Sequence, residues 1–99
     1  MQNVDLLVQY REYLIIERDA SENTMSSYMR DLRQLQEYLQ QEKGIALTTV
    51  NEADLQAYIE HLQGEGKSVS TIARNIASWK NFYQYLIQQN IIQDNHFGK

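Results

Sequence analysis

The sequence predicts an all-α fold, a compact bundle of four helices around one shared core. Apolar residues recur every three or four positions in four separate segments, and no segment alternates apolar and polar residues as a half-buried strand does. Proline is absent, and the glycines fall between the periodic segments, where helices usually end. A chain of 99 residues is long enough for one domain with a single core.

The first two helices are expected at residues 4–18 and 22–43. The apolar positions of the first are Val4, Leu7, Val8, Leu14 and Ile15. The apolar positions of the second are Met25, Tyr28, Leu32, Leu35 and Leu39. Ser21 is the predicted N-cap of the second helix, because a serine side chain accepts a hydrogen bond from the first turn, and Gly44 marks the end.

The third and fourth helices are expected at residues 52–63 and 71–89. The apolar positions of the third are Leu55, Tyr58, Ile59 and Leu62, and those of the fourth are Ile72, Ile76, Trp79, Tyr83 and Leu86. Asn51 is the predicted N-cap of the third helix, with Asp54 in the position that completes a capping box. Ser70 is the predicted N-cap of the fourth.

Composition restricts the classes of protein that this chain can belong to. Hydrophobic residues make up 42% and charged residues 22%, as in a soluble globular domain. No apolar run is long enough for a membrane span, and the first residues lack the pattern of a secretion signal. Cysteine is absent, which excludes disulfides and thiolate metal sites. We therefore expect a cytoplasmic protein without membrane contact.

Charge is unevenly distributed along the chain. The net charge of −4 argues against nucleic acid as a partner. However, residues 66–93 contain no acidic side chain, whereas residues 44–65 contain four acidic side chains and no lysine or arginine. Because a phosphate responds to the local field, the last helix remains a candidate for contact with nucleic acid.

Catalytic and metal-binding patterns are weak. His61 and His96 have no partners at metal-binding spacing, and no glycine-rich phosphate loop is present. The carboxylate pairs Asp31 with Glu37 and Glu52 with Asp54 suit capping and solvated surface. We therefore expect no catalytic residue, no metal and no cofactor.

Two helix starts, at residues 20–32 and 67–80, are unusually rich in hydroxyl and amide side chains. Serine, threonine and asparagine are indifferent helix formers, since their side chains compete for backbone hydrogen bonds. A helix N-terminus presents unpaired N–H groups to a phosphate, and short polar side chains let the backbone approach it closely. The alternative is that the serines only cap their helices and that the other residues are ordinary polar surface.

The segments SENTMSSYMRDL and VNEADLQAYIEHLQGEGKSVSTIARNIASWKNFYQYLIQQNIIQDN resemble the N-terminal core-binding domain of tyrosine recombinases. The similarity is to Xer-type chromosome-dimer resolvases and related phage integrases, and it covers about residues 5 to 95. It consists of a Ser-x-Asn-Thr helix start, a Tyr-x-x-Asp-Leu strip, an Asp-Leu helix and a Ser-Thr-Ile-Ala-Arg helix that leads into aromatic residues.

The resemblance implies an orthogonal four-helix bundle of the SAM-like type that clamps double-stranded DNA. The second and fourth helices would lie in or across the major groove. The DNA-facing residues that the resemblance implies are Ser21, Asn23, Thr24, Ser27, Arg30, Lys67, Ser70, Thr71, Arg74, Asn75 and Ser78. The hydroxyl-rich helix starts would then be tolerated because their neighbour is DNA.

The chain departs from the family in two respects. It reads Asn95-His96 where the family commonly has Asn-Pro, and it lacks the arginine-rich constellation, the His-x-x-Arg element and the nucleophilic tyrosine of the catalytic half. We therefore expect residues 1–95 to be a core-binding domain that binds DNA without cutting it. Residues 96–99 would begin a linker to a catalytic domain of the parent recombinase.

Two functional hypotheses follow. The first is a DNA-binding domain of a site-specific tyrosine recombinase, monomeric alone and in contact with other recombinase protomers in the synaptic complex. The second is a helical protein-interaction module without direct DNA contact, which the negative net charge and the acidic third helix favour.

Overall fold

Four α-helices and one 3₁₀ turn make up the regular structure of residues 6–17 and 21–92, which the computed structural model describes. The helices are α1 (Leu6–Ile16), α2 (Glu22–Glu42), α3 (Glu52–Gly64) and α4 (Val69–Gln88), with the 3₁₀ turn Leu47–Thr49 between α2 and α3. No strand occurs in these residues, so the all-α prediction is confirmed. The predicted domain boundary at residue 95 and the predicted linker 96–99 lie outside the described residues.

Local hydrogen bonds explain where the helices begin and end. Ser21 caps α2, and Asn51 forms the predicted capping box of α3: its side chain accepts from the Asp54 N–H at 2.9 Å, while its own N–H donates to the Asp54 carboxylate at 3.1 Å. Gly44 and Gly66 follow α2 and α3 with φ of 66° and 82°. Residues with a side chain rarely adopt this left-handed backbone conformation, so glycine at these positions lets the chain turn away from the helix axis.

The core lies around α2, which packs against α1, α3 and α4. Leu32, Leu35 and Leu39 of α2 are fully buried, and so are Phe82 and Leu86 of α4. Burial of leucine and phenylalanine is the main favourable term for such a domain, roughly 1.5–3 kcal/mol for each side chain. The molecule measures 36 × 29 × 27 Å, which confirms a compact bundle with one shared core.

The buried face of α1 differs from the expected one. Leu7 and Leu14 are buried as predicted, but Val8 and Ile15 are 48% and 44% exposed, and Tyr10 takes the central position instead. The Tyr10 ring meets Phe82 edge to face, with ring centroids 5.2 Å apart. The predicted apolar stripe of α1 left out Tyr10, so the face it indicated is rotated around the helix axis relative to the face that is buried. None of the described helices combines the length and apolarity that a membrane crossing requires.

Candidate nucleic-acid interface

The start of α2 is built around one serine. The Ser21 side chain accepts from the Thr24 N–H at 3.1 Å and donates its hydroxyl hydrogen to the Thr24 hydroxyl oxygen at 2.9 Å. The Thr24 hydroxyl therefore keeps its own hydrogen for an external acceptor. The N–H groups of Glu22 and Asn23 precede the first intrahelical bond, which runs from Met25 N to Ser21 O at 2.9 Å. The N-terminus of α2 thus offers several hydrogen-bond donors to an anion.

The start of α4 repeats this arrangement with the same residue types. Ser68 accepts from the Thr71 N–H at 3.1 Å and donates to the Thr71 hydroxyl at 3.0 Å. Ser68 is therefore the N-cap, and the prediction that Ser70 caps this helix is wrong. A threonine three residues after the serine is the shared signal, and it distinguishes Ser68 from Ser70. Ser70 is exposed in the first turn, beside the 84% exposed Val69.

The predicted contact residues on α2 are accessible. Ser21, Asn23, Thr24 and Arg30 are exposed, and Ser27 is half-buried. Thr24, Ser27 and Arg30 follow one another at intervals of three residues, so they share one side of the helix, and Asn23 lies four residues before Ser27 on the same side. Their accessibility permits contact with DNA, which stays a prediction.

Three polar side chains join α2 to α4, and we call Asp31, Arg74 and Ser78 the interhelix cluster. Arg74 Nε donates to Asp31 Oδ2 at 2.9 Å, and Arg74 Nη2 donates to Asp31 Oδ1 at 3.0 Å. The Ser78 hydroxyl lies 3.0 Å from Asp31 Oδ2 and also 3.0 Å from the Arg74 carbonyl oxygen. The hydrogen bond to Asp31 raises the pKa of Arg74 above its usual value. The ion pair thus stabilises a guanidinium that is charged at any physiological pH.

Two predicted DNA-facing side chains of α4 are buried. Asn75 is 2% exposed and Ser78 is fully buried, so their expected position on the solvent side of the helix is wrong. The Asn75 amide nitrogen donates to the Thr71 carbonyl oxygen at 2.9 Å, and Ser78 belongs to the interhelix cluster. The physical reason is that the Asn75 amide nitrogen and the Ser78 hydroxyl find partners inside the bundle, which removes part of the penalty for burying them. The buried Asn75 Oδ1 has no hydrogen-bond partner among the described residues.

Asp31 was expected on a solvated surface and is instead 2% exposed, so that expectation is wrong. A buried carboxylate is tolerated only when charged or polar partners compensate the loss of hydration. Arg74 and Ser78 supply that compensation from α4. The position of Asp31, three residues after Tyr28 and four before Leu35, is a signal in the sequence that it lies beside the core stripe.

The two helix starts are not adjacent. Tyr28 accepts from Asn81 at 3.5 Å, and Asp31 pairs with Ser78 and Arg74, so paired positions run in opposite directions along the two helices. Asp31 and Ser78 each come ten residues after the N-cap of their helix. Each helix start therefore lies about 15 Å along its own axis from the interhelix cluster. The two helix starts therefore lie on opposite sides of the interhelix cluster.

Basic side chains lie near the two helix starts and the interhelix cluster. Arg30 and Lys67 are exposed, the Arg74 side chain is 39% exposed, and Lys80 is exposed further along α4. The exposed Glu22 in the first turn of α2 is an opposing charge. These basic side chains can attract phosphates only locally, since the whole chain is negative.

Lys67 also borders a different surface, an open cleft of about 340 Å³ between α2 and α3. Tyr38 and His61 line this cleft with ring centroids 4.9 Å apart, and Glu37 and Glu65 supply negative charge. His61 Nε2 lies 3.3 Å from the Glu65 carboxylate. The cleft does not suit a phosphate, because its carboxylates repel anions.

The described ranges contain His61 and most of the carboxylates of the chain. Among these residues, no group of three or more histidine, cysteine, aspartate and glutamate side chains is placed to hold a metal ion. His96 and the Asn95-His96 pair lie outside the described residues.

The chain matches known proteins over almost its whole length. Residues 7–90 match the family model described as phage integrase, N-terminal SAM-like domain. The chain is 36% identical over 92 residues to the tyrosine recombinase XerD of Agrobacterium fabrum, which covers 93% of this chain and 28% of that relative. It is 37% identical over 84 residues to XerD of Listeria monocytogenes, which covers 84% of this chain and 28% of that relative.

A third relative is the tyrosine recombinase XerC of Anoxybacillus flavithermus. It is 31% identical over 99 residues, which cover 99% of this chain and 33% of that relative. The chain thus spans a third or less of the length of these curated relatives. No solved structure matches it at a significant level. The match to the family model, together with the four-helix fold, shows that the chain belongs to the phage integrase N-terminal SAM-like domain family.

Proposed function

We propose that this chain is the DNA-binding domain of a longer site-specific tyrosine recombinase and that α2 and α4 contact the recombination site. The observation that carries the proposal is the repeated helix start, Ser21 with Thr24 and Ser68 with Thr71, on two helices that an arginine joins. The names of the relatives support the parent activity.

The donors of the two helix starts suit phosphates on the DNA backbone. Each start has a partial positive charge from the helix dipole, free backbone N–H groups and a threonine whose hydroxyl oxygen accepts from the cap serine. Contacts of this kind position a protein on the duplex without reading its sequence. Few basic side chains take part, so the isolated domain should bind with a Kd of about 1–100 µM at physiological salt, and its affinity should fall with salt at a shallow slope.

Other recombinase protomers would contact the helices that do not face DNA. α1 exposes Val8, Ile15 and Ile16, the last to 73%, and α3 carries acidic residues that repel phosphates. Apolar and acidic surfaces of this kind suit protein neighbours in a synaptic complex. In this proposal the domain alone is a monomer in the cytoplasm, and strand cleavage through a phosphotyrosine belongs to the catalytic part of the parent.

The cleft of Tyr38 and His61 favours a second candidate function, a helical protein-interaction module. Its aromatic rings and glutamates suit a basic segment of another protein better than DNA. Under this function, α2 and α4 would not contact a duplex at all.

A chemical-shift titration of the ¹⁵N-labelled domain with a short duplex tests the proposal. At low salt we expect shifts at residues 21–30 and 67–74, which fade at moderate salt. Replacing Arg30 and Lys67 with glutamine should weaken binding several-fold. The matched control replaces Arg11 and Lys43 with glutamine, which removes the same charge from elsewhere and should change affinity less than twofold.

The outcomes separate the two functions. Equal losses in both double variants would indicate attraction by net charge alone and would contradict a defined DNA surface. Shifts confined to α3 and the cleft, seen only with an added protein, would favour the interaction module.

A further inference from the structure

Arg74 has two donor edges, and Asp31 occupies only one of them. Nε and Nη2 donate to the two carboxylate oxygens at 2.9 and 3.0 Å. A guanidinium carries five N–H donors, so both hydrogens of Nη1 and one of Nη2 remain. In the described part of the chain, no hydrogen bond from Nη1 is formed. The second edge is therefore available to a ligand.

The exposures of the two partners indicate where the free edge lies. The Asp31 side chain is 1% exposed, whereas the Arg74 side chain is 39% exposed. Because a buried carboxylate covers the Nε edge, we place the opposite edge of the guanidinium on the solvent side of the partly exposed Arg74 side chain. The ion pair thus fixes a planar group at the junction of α2 and α4 with its outer edge toward solvent.

We propose that Asp31 is a positioning residue that presents the outer edge of Arg74 as a preformed fork for two acceptor atoms of duplex DNA. This inference rests on the proposed function and names the chemistry at the centre of that surface. The acceptors are a pair at the spacing that a guanidinium matches, either two oxygens of a phosphate or O6 and N7 of a guanine in the major groove.

The geometry explains why arginine rather than lysine suits this position. A lysine ammonium is a single point of charge, so bonding to a buried carboxylate leaves no planar edge for a second bidentate contact. Arginine can satisfy Asp31 with one edge and DNA with the other. An arginine already held in its bound orientation also loses less side-chain freedom when it binds.

Fluorescence anisotropy with a labelled duplex provides the test. We expect Asp31→Asn and Arg74→Gln each to weaken binding about tenfold, the size of one bidentate contact. The double variant should bind no worse than Arg74→Gln, since Asp31 acts only through Arg74. Arg11→Gln, the charge control, should stay within about twofold. Asn51→Ala removes the capping box of α3, away from this surface, and should lower thermal stability while affinity stays within about twofold.

A duplex containing 7-deazaguanine, which lacks N7, distinguishes the two sources of acceptors. For a guanine contact, wild-type affinity falls on this duplex while that of Arg74→Gln stays the same. For a phosphate contact, wild-type affinity is unchanged, and Arg74→Gln lowers the slope of log K against log salt by about one.

Side-chain NMR of the wild-type protein tests the fork even where the Asp31 variant does not fold. Duplex binding should shift the Nη resonances of Arg74 and leave its Nε resonance in place. A folded Asp31→Asn domain with wild-type affinity, a shifted Nε resonance, or normal binding by Arg74→Gln would overturn this inference and leave the proposed function standing. Failure of the wild-type domain to bind any duplex would overturn both.

Discussion

The carboxylate of Asp31 and the guanidinium of Arg74, separated by 43 residues in sequence, face each other across α2 and α4 in a two-hydrogen-bond ion pair. The pair is unequal, because Asp31 is buried and Arg74 is partly in solvent. It therefore connects the interior of the bundle with the surface that we assign to DNA. This inequality also determines how the domain responds when either partner is removed.

Arg74→Ala should destabilise the domain more than Asp31→Ala. Loss of Arg74 leaves a buried carboxylate with Ser78 as its remaining side-chain partner, which costs about 3 kcal/mol. Loss of Asp31 leaves a guanidinium that water can reach, so the expected cost is about 1–2 kcal/mol. Urea denaturation measures both free energies of unfolding. Asp31→Asn in the Arg74→Ala background should recover part of the loss, and the opposite order of the single variants would contradict this explanation.

Ser68→Ala and Ser21→Ala should each lower the free energy of unfolding by about 1 kcal/mol, the usual value of an N-cap. Ser70→Ala is the matched control: Ser70 is exposed in the same turn, and its replacement should change stability by less than about 0.5 kcal/mol. Thermal or urea unfolding of the three variants measures these differences in stability. If Ser70→Ala cost as much as Ser68→Ala, the assignment of the cap to Ser68 would be wrong.

Local rules predicted the parts of this fold that depend on near neighbours in sequence. Ser21 and Asn51 were identified as caps because a cap and its partner lie three residues apart. The apolar stripe on α2 follows from the three- and four-residue spacing of its members, and every member is buried or half-buried in the structure. The cap of α4 was placed two residues too late, because two serines compete there and only their threonine partner distinguishes them.

Polar residues inside the bundle could not be predicted in the same way. Asn75 lies four residues before Trp79, so its spacing indicated the core, but its polarity suggested the surface. Ser78 and Asp31 are buried because they bond to each other across the two helices, and Asp31 also bonds to Arg74. That compensation comes from residues more than 40 positions away. No local pattern contains it, so the buried position of Ser78 could not be predicted, whereas the amide of Asn75 bonds locally to the Thr71 carbonyl oxygen.

Two glycines should respond in opposite directions to alanine. Gly66 has a φ of 82°, so Gly66→Ala strains the backbone and should cost about 1 kcal/mol. Gly64 is the last residue of α3, and a Cβ there meets nothing within 4 Å. Gly64→Ala should therefore raise the stability by up to about 1 kcal/mol, since alanine is the better helix former. Thermal unfolding of the two variants, which carry the same substitution two residues apart, gives the comparison. Equal effects would contradict the difference in backbone conformation.

Ionisation of Tyr58 should lower the free energy of unfolding of the domain at alkaline pH. Burial raises the pKa of Tyr58 to about 12 from 10.0, with smaller contributions from Asp31, Glu65 and Tyr38. The folded state therefore holds the phenolic proton more tightly than the unfolded state. The resulting stability is complete below pH 10 and is lost as the pH rises from about 10 to about 12. Tyr83, whose pKa burial also raises, acts in the same direction.

Urea denaturation of the wild type and of Tyr58→Phe between pH 8 and pH 12 measures this effect. Phenylalanine cannot ionise, so the variant should lose less stability above pH 10 than the wild type does, while a shallower decline from Tyr83 remains. Below pH 9 the stability curves of the wild type and of Tyr58→Phe should run parallel, because Tyr58 and Tyr83, where present, are then protonated in the folded and the unfolded states. An equally steep decline in Tyr58→Phe would show that other groups carry the alkaline loss.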